Sequence, residues 1–420
     1  LIAFGSVVAM GLPIVSALIG IGLSLSMIPL VSAVLPTADF TTTVAAMIGL
    51  GVGIDYALFM VTRYRSELAA GSDVTASIAA AVRTSGRAIV FAGGTVVVSL
   101  LGLLLIGMDF LKGFAVASSL TVAIAVAAAI TLVPALLAII GRQIDRLSIH
   151  RRGHVTTNRD SLGRRWARLI QRHPITAVTA GGAALLLAAL PVFGMRLAVA
   201  DEGNDPAGST TRVAYDRLAD GFGPGVNGPL LVVTEDVAAV DALVDTVRAT
   251  DGVAFVAKPQ TSPDGAISVF AAYPTTSPQS PATEQLVRDL RDSLPSDVHI
   301  GGQTASGIDF ATFMGQRLPW FIGAVLLVSF LLLLAVFRSL LVPLKAVILN
   351  LVSIGAAYGA MVAVFQWGWF SSVLNIEPAP IEPWAPMMLF AIVFGLSMDY
   401  EVFLLSAVKE RYDQTRDNHA

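Results

Sequence analysis

Gly51-Val52-Gly53-Ile54-Asp55-Tyr56-Ala57-Leu58-Phe59 and Gly395-Leu396-Ser397-Met398-Asp399-Tyr400-Glu401-Val402-Phe403 are two copies of one pattern, G-x-x-x-D-Y-x-x-F. Each copy lies deep inside an apolar stretch. An aspartate at the centre of a membrane helix costs roughly 3 kcal/mol even on the gentlest transfer scales. One such residue is compatible with an accident of packing. Two, each followed by Tyr and set in matching frames, imply a duplicated device that uses protons inside a membrane.

Composition agrees with a membrane location. Of the 420 residues, 55% are hydrophobic, and several runs reach ~20 apolar residues, enough to cross ~30 Å of hydrocarbon. The chain is therefore expected to be a polytopic α-helical membrane protein. The absence of cysteine excludes disulfide and thiolate chemistry. The histidines (His150, His154, His173, His299 and His419) all lie outside the apolar runs, so none is a buried proton carrier. No metal-ligand cluster, catalytic residue or nucleic-acid site presents itself. The chain opens on Leu1-Ile2-Ala3-Phe4 and closes in the polar run from Lys409 to Ala420, and both ends read as cuts through a longer protein.

The hydropathy pattern predicts eight spans, at 8–34, 39–62, 88–107, 113–140, 174–194, 318–337, 343–366 and 386–408. Arg63, Arg65, Arg83 and Arg87 share one side with the arginine-rich run 142–172, Arg338, Lys345, Lys409, Arg411 and Arg416, while the short loops opposite hold only Lys112. The positive-inside bias puts the basic loops in the cytoplasm and segment 195–317 outside. The resulting organisation is a first set of spans over 1–141, a basic cytoplasmic loop over 142–173, a span at 174–194, a polar domain over 195–317, three more spans over 318–408, and a cytoplasmic tail over 409–420. Trp367, Trp369 and Trp384 flank external span ends as an interfacial aromatic belt. The basic loop is read as an anchor on anionic lipid.

Segment 195–317 is acidic, with 16 Asp and Glu against eight Lys and Arg. Its pattern predicts helices at 210–222, 237–250 and 283–294 and strands at 230–234, 253–256, 267–270 and 298–300. From the first strand onward the order is β-α-β-β-α-β, that of a split-βαβ, ferredoxin-like unit. The spans themselves repeat. Phe4-Gly-Ser-Val-Val resembles Phe337-Arg-Ser-Leu-Leu, with Pro13 and Pro343 just inside the following spans. In both halves an external loop and the Asp-Tyr helix come next. Both copies run from outside to inside, so the repeat is parallel, and coupling sites in such proteins lie at the interface of the halves.

Asp55 lies eight residues before Arg63, and Asp399 ten before Lys409. At 1.5 Å per residue each carboxylate is about 12 to 15 Å from the cytoplasmic edge. Desolvation disfavours the charged form at that depth, and away from their edges the spans offer no Lys or Arg to fix it in an ion pair. Neighbouring helical positions point ~100° apart, so a Tyr does not easily bond its own Asp. The expected pairing is reciprocal, Asp55 with Tyr400 and Asp399 with Tyr56. A phenol donates to a carboxylate or accepts from a carboxylic acid, so the pair serves both protonation states. Gly51, Gly53 and Gly395, with Gly49, are expected to let the two Asp-bearing helices approach closely. Gly93-Gly94-Thr95 and Ser99 either pack helices or hydrogen-bond this core. Glu401 is either a snorkelling, water-facing acid or part of a proton path.

At these residues the chain resembles the MMPL (mycobacterial membrane protein, large) family of the resistance-nodulation-division (RND) superfamily. Phe394 to Leu404 is similar to that family's most specific signature, and Gly51 to Phe59 followed by Val61-Thr-Arg-Tyr-Arg65 is similar to its first-half copy. Gly301-Gly-Gln-Thr-Ala305, before Leu318-Pro319, is also family-like. The resemblance implies an RND-type, twelve-span protein with two external porter domains, of which this chain holds spans three to ten, the end of span two, and the second porter domain at 195–317. It also implies proton-driven export of lipids or other hydrophobic molecules, with Asp55, Tyr56, Asp399 and Tyr400 as the relay. The coupling ion is the proton, no other cofactor is implied, and the partners are membrane lipids and a hydrophobic cargo, with a monomer or a trimer both open. Ala407 departs from the family pattern, which usually has Arg there.

Three other readings compete. A drug or siderophore pump of the same superfamily resembles an adjacent acid pair in one helix with a Lys in the other, which this chain lacks. An intramembrane aspartyl protease resembles Tyr-Asp in one helix and Gly-x-Gly-Asp in the other, whereas both copies here read Asp-Tyr. A membrane sensor or scaffold on the same fold predicts that the aspartates are dispensable.

Overall fold

The computed structural model describes residues 6–145 and 162–415. In chain order the helices are α1 (Val7–Ser32), α2 (Thr41–Ala69), α3 (Val74–Ala81), α4 (Arg87–Leu101), α5 (Asp109–Ile140), α6 (Leu162–Arg172), α7 (Pro174–Ala189), α8 (Thr210–Phe222), α9 (Val240–Ala249), α10 (Pro281–Ser293), α11 (Gln303–Phe337), α12 (Leu341–Met361), α13 (Ser371–Leu374) and α14 (Ala385–Thr415). Seven helical segments among the described residues are long and apolar enough to cross a bilayer: Val7–Ser32, Thr41–Ala69, Val74–Ile106, Asp109–Ile144, Pro174–Gly194, Gln303–Ala335 and Leu341–Gln366. The last predicted span falls on α14, whose described apolar run is the shorter Ala385–Met398. The chain divides into two compact units.

The first unit comprises Leu1–Leu185, Trp320–Ile354 and Met387–Ala420. Here α1, α2, α4 and α5 pack on one another. Small residues set how closely they approach. A Cβ on Gly49 would lie 2.7 Å from Thr121 of α5, and one on Gly53 would lie 3.2 Å from the Ala17 Cβ of α1. The span predicted at 88–107 begins earlier, because Asp73 caps α3 by accepting from the Ala76 N–H at 2.8 Å. Helix then continues through a π-type segment, Val82–Gly86, into α4. A 3-10 turn, Gly102–Ile106, follows and stops at Gly107, whose φ of +87° suits a residue without Cβ. Arg83 and Arg87, expected before that span, therefore lie within the continuous helical run. The predicted step from external domain to span at 317/318 also falls inside one continuous helix, α11.

The second unit comprises Leu186–Pro319 and Gly355–Pro386. Its sheet contains β1 (Leu230–Thr234), β2 (Val253–Val256), β3 (Gln260–Thr261), β4 (Ser268–Pro274) and β5 (Val298–Gly301). The order is β2-β4-β1-β5, all pairings are antiparallel, and β3 continues the β2 edge along β4. Thus β4 separates the two strands that α9 joins, and β1 separates the two that α10 joins. Strict alternation in β4 buries Ser268, Phe270, Ala272 and Pro274 on one face. Leu243, Val244 and Val247 of α9 and Leu286, Val287 and Leu290 of α10 cover that face, and these side chains form one buried core with Leu230, Val232 and Ile300. A Cβ on Gly225 would sit 1.9 Å from the Pro274 carbonyl oxygen, so the turn after α8 requires glycine there.

Candidate functional site

Asp55 is the central residue of α2, and Tyr400 occupies the same place in α14. The Tyr400 hydroxyl donates to Asp55 Oδ2 at 2.6 Å. That length is within the range of a strong hydrogen bond between two oxygens. It joins the two copies of the repeated motif across 345 residues of sequence. Asp55 is half-buried, and Tyr400 is 54% exposed within the chain.

One position further along α2 the helix has turned by ~100°. Tyr56 is accordingly buried, at 1% exposure, and its ring lies against α4, where Gly93 leaves room for it. A Cβ on Gly93 would come within 3.4 Å of that ring and 3.5 Å of its hydroxyl. The partner expected for Tyr56 is Asp399, whose side chain lies outside the described residues. The reciprocal arrangement is therefore seen in one of its two halves.

The expected role of the glycines needs correction. Gly51 is exposed, and among the described residues nothing lies within 4 Å of where its Cβ would be, so it supports no helix contact there. Gly53 admits α1. Gly395 admits α4: a Cβ there would lie 3.1 Å from the Val96 Cα. The physical reason is angular. Gly51 and Gly53 are ~200° apart on α2, so one interface cannot use both. Gly53 and Gly395 seat each Asp-bearing helix on its own neighbour, and the Asp55–Tyr400 bond joins the two helices.

Ser99 donates to the Ala391 carbonyl at 2.8 Å and so links α4 to α14, which is a packing role. Thr95 bonds its own helix, at the Ala92 carbonyl. Glu401 is half-buried and accepts from Nδ2 of Asn350 at 3.1 Å, so it has a protein partner and is not simply snorkelling. Asn350, on α12, is 3% exposed and went unnoticed in the sequence. The available signal was a lone amide within Val347-Ile-Leu-Asn-Leu-Val352. Trp367 and Trp369 are both about half exposed with ring centroids 6.2 Å apart, and Gly194 lies against the Trp367 ring.

The second unit holds a polar network at the entrance to the sheet domain. Asp201 accepts from the Gly203 N–H at 2.9 Å and from the Tyr215 hydroxyl at 3.1 Å. Burial pushes the Asp201 carboxyl above the usual range, partly offset by those two donors, and burial likewise raises Tyr215. Arg291 makes a two-pronged bond to Asp309, at 2.5 and 2.9 Å, and also donates to the Ile300 carbonyl, tying α10 and β5 to α11.

Apolar helices of spanning length and a motif repeated along the chain define a polytopic membrane protein. The MMPL family model matches residues 1–177 and 195–420, and the chain belongs to that family, within the RND superfamily. It is 36% identical to the membrane protein YdfJ of Bacillus subtilis, over 99% of this chain and 58% of that one. It is 32% identical to the mycolic acid-containing lipids exporter MmpL11 of Mycolicibacterium smegmatis, over 99% of this chain and 46% of that one. The trehalose monomycolate exporter MmpL3 of Mycobacterium tuberculosis is 26% identical, over 97% of this chain and 48% of its own length. The chain thus spans about half the length of the curated relatives it matches. It is a multi-pass protein of the plasma membrane. Among solved structures, SecDF of Thermus thermophilus aligns over 97% of this chain and 53% of its own at 16% identity, with a TM-score of 0.43.

Proposed function

We propose that this chain is the proton-coupling portion of an exporter that uses the proton-motive force to move a lipid or similar hydrophobic molecule out of the plasma membrane. The observation that carries the reading is the 2.6 Å bond from Tyr400 to Asp55, made between mid-helix residues of the two repeat halves. A hydrogen bond to an ionised group stabilises by roughly 1.5–3 kcal/mol, and a neutral one by about 0.5–1.5. Protonating Asp55 therefore weakens the link between the halves by about 1–1.5 kcal/mol, close to a tenfold shift between two arrangements. Asp399 and Tyr56 are assigned the matching role, and Glu401 the role of a further stop on the proton path. Protons are the coupling ion, and the reading calls for no other cofactor.

Segment 195–317 is assigned as a ferredoxin-like porter domain on the external side. Its strand order, with each βαβ unit split by a strand of the other, supports the first part. The arginine-rich side of the chain supports the second. A hydrophobic amphiphile as cargo is supported by the names of the two mycobacterial exporters. One relative at 30% identity, from Mycobacterium tuberculosis, is named a heme uptake protein, which keeps a porphyrin moving inward as the second reading.

The test uses the intact parent protein in its own cells. Newly made, isotopically labelled lipid is followed to the outer surface with and without a protonophore. The reading expects the protonophore, Asp55→Asn and Asp399→Asn each to stop export while the protein stays in the membrane. Export that persists in both variants overturns it.

A further inference from the structure

Asn350 grips one turn of α14. Its amide nitrogen donates to Glu401 Oε2 at 3.1 Å and to Met398 Sδ at 2.9 Å, and its amide oxygen accepts from the Ser397 hydroxyl. These three partners surround the Asp399-Tyr400 pair in sequence. Ser397 and Glu401 are four residues apart and share a face of α14, with Met398 beside them. Tyr400 lies ~100° round the helix from Glu401. A buried amide of this kind stays satisfied only while all the partners hold their places.

Several bonds from one side chain to one turn fix the rotation of a helix about its own axis. That rotation decides where Tyr400 points. With side chains reaching ~6 Å from the axis, a turn of ~20° sweeps a side-chain tip by about 2 Å. The same movement takes a 2.6 Å hydrogen bond out of reach. We propose that Asn350 is the positioning residue of the coupling contact: through Ser397 and Glu401 it sets the rotation of α14 and so delivers the Tyr400 hydroxyl to Asp55. Its importance for transport rests on the proton-coupling reading above. The placement of Tyr400 does not.

The experiment reads that placement without any transport. Ultraviolet resonance Raman spectra of the full chain in lipid nanodiscs are recorded for the parent sequence and for Tyr400→Phe. Their difference isolates the Tyr400 doublet, whose intensity ratio reports whether the phenol donates a strong hydrogen bond. Asn350→Leu, similar in size but unable to bond, is expected to abolish the donor signature. Glu401→Leu is expected to weaken it, and Glu401→Gln, which still accepts from the amide, is expected to restore it. Ser99→Ala removes a different bond to α14 and is expected to leave the signature in place. Retention of the donor signature in Asn350→Leu overturns the proposal, and so does its equal loss in Ser99→Ala, which would make the effect one of general packing. If Asn350→Leu does not fold, the Glu401 pair decides alone: identical signatures in Glu401→Leu and Glu401→Gln overturn it.

Discussion

Alanine at Gly395 should cost stability that alanine at Gly51 does not, although the two glycines hold the same place in the repeated motif. Both sit in helix interiors, where alanine is favoured over glycine by about 1 kcal/mol, so that gain is common to the two changes. What differs is the space. At Gly395 the new methyl would lie 3.1 Å from both Cα and Cγ1 of Val96, and α4 must give way by a few tenths of an ångström. Overpacking of that kind costs about 1–3 kcal/mol. At Gly51 the methyl meets nothing within 4 Å among the described residues. Gly51→Ala is therefore expected to stabilise by up to about 1 kcal/mol, and Gly395→Ala to be less stable than it by about 1–3 kcal/mol. Apparent unfolding midpoints of the purified chain in one detergent, read by tryptophan fluorescence, give the comparison. Equal destabilisation by the two changes would show instead that Gly51 also faces a packed helix.

Three further outcomes concern the sheet domain. Leu290→Ala empties a fully buried site of its core and should destabilise that unit by about 2–5 kcal/mol, seen as accelerated hydrogen exchange in β1 and β4 but not in α2. Arg291→Lys should behave like Arg291→Ala, each costing about 1 kcal/mol, because a point charge cannot reproduce the two-pronged bond to Asp309 together with the bond to the Ile300 carbonyl; full retention of stability in the lysine variant counts against this. Asp201 gives a pH signature. Burial raises its native carboxyl above the unfolded value, so its contribution is most favourable below about pH 4 and diminishes as pH rises through the raised native value. Amide protection of α8, corrected for intrinsic exchange, should decline over that window and lose the dependence in Asp201→Asn.

Much of the sheet domain is legible in the sequence because its local and global signals agree. Thr210–Phe222 forms the expected helix, since Ser209 caps it and Gly223 ends it. The strand predicted to end at Phe270 runs on to Pro274: Ala271-Ala272-Tyr273 carries little β-branched signal and takes its register from β1 and β2. The two-residue strand Gln260–Thr261 has no sequence signal, since pairing with β4 alone defines it. In the membrane helices existence is legible and facing is not. A uniformly apolar helix gives no moment to say which residues meet which neighbour. The motif thus pairs Asp55 with Tyr400, as the structure does, yet its spacing also suggests a packing role for Gly51 that a ~200° separation from Gly53 argues against. Asn350 escaped notice because a lone amide becomes informative only when its three partners are seen together.

In the proposed mechanism, protonation of Asp55 controls the contact between the two repeat halves and thereby drives transport. The most direct measurement reconstitutes the intact parent protein in liposomes with a fluorescent lipid cargo and imposes a proton gradient of either sign. The gradient is expected to accelerate cargo movement in the parent protein, and Asp55→Asn to bind cargo equally well but move it at one rate whatever the gradient. Acceleration by the gradient in Asp55→Asn equal to that in the parent would contradict that mechanism.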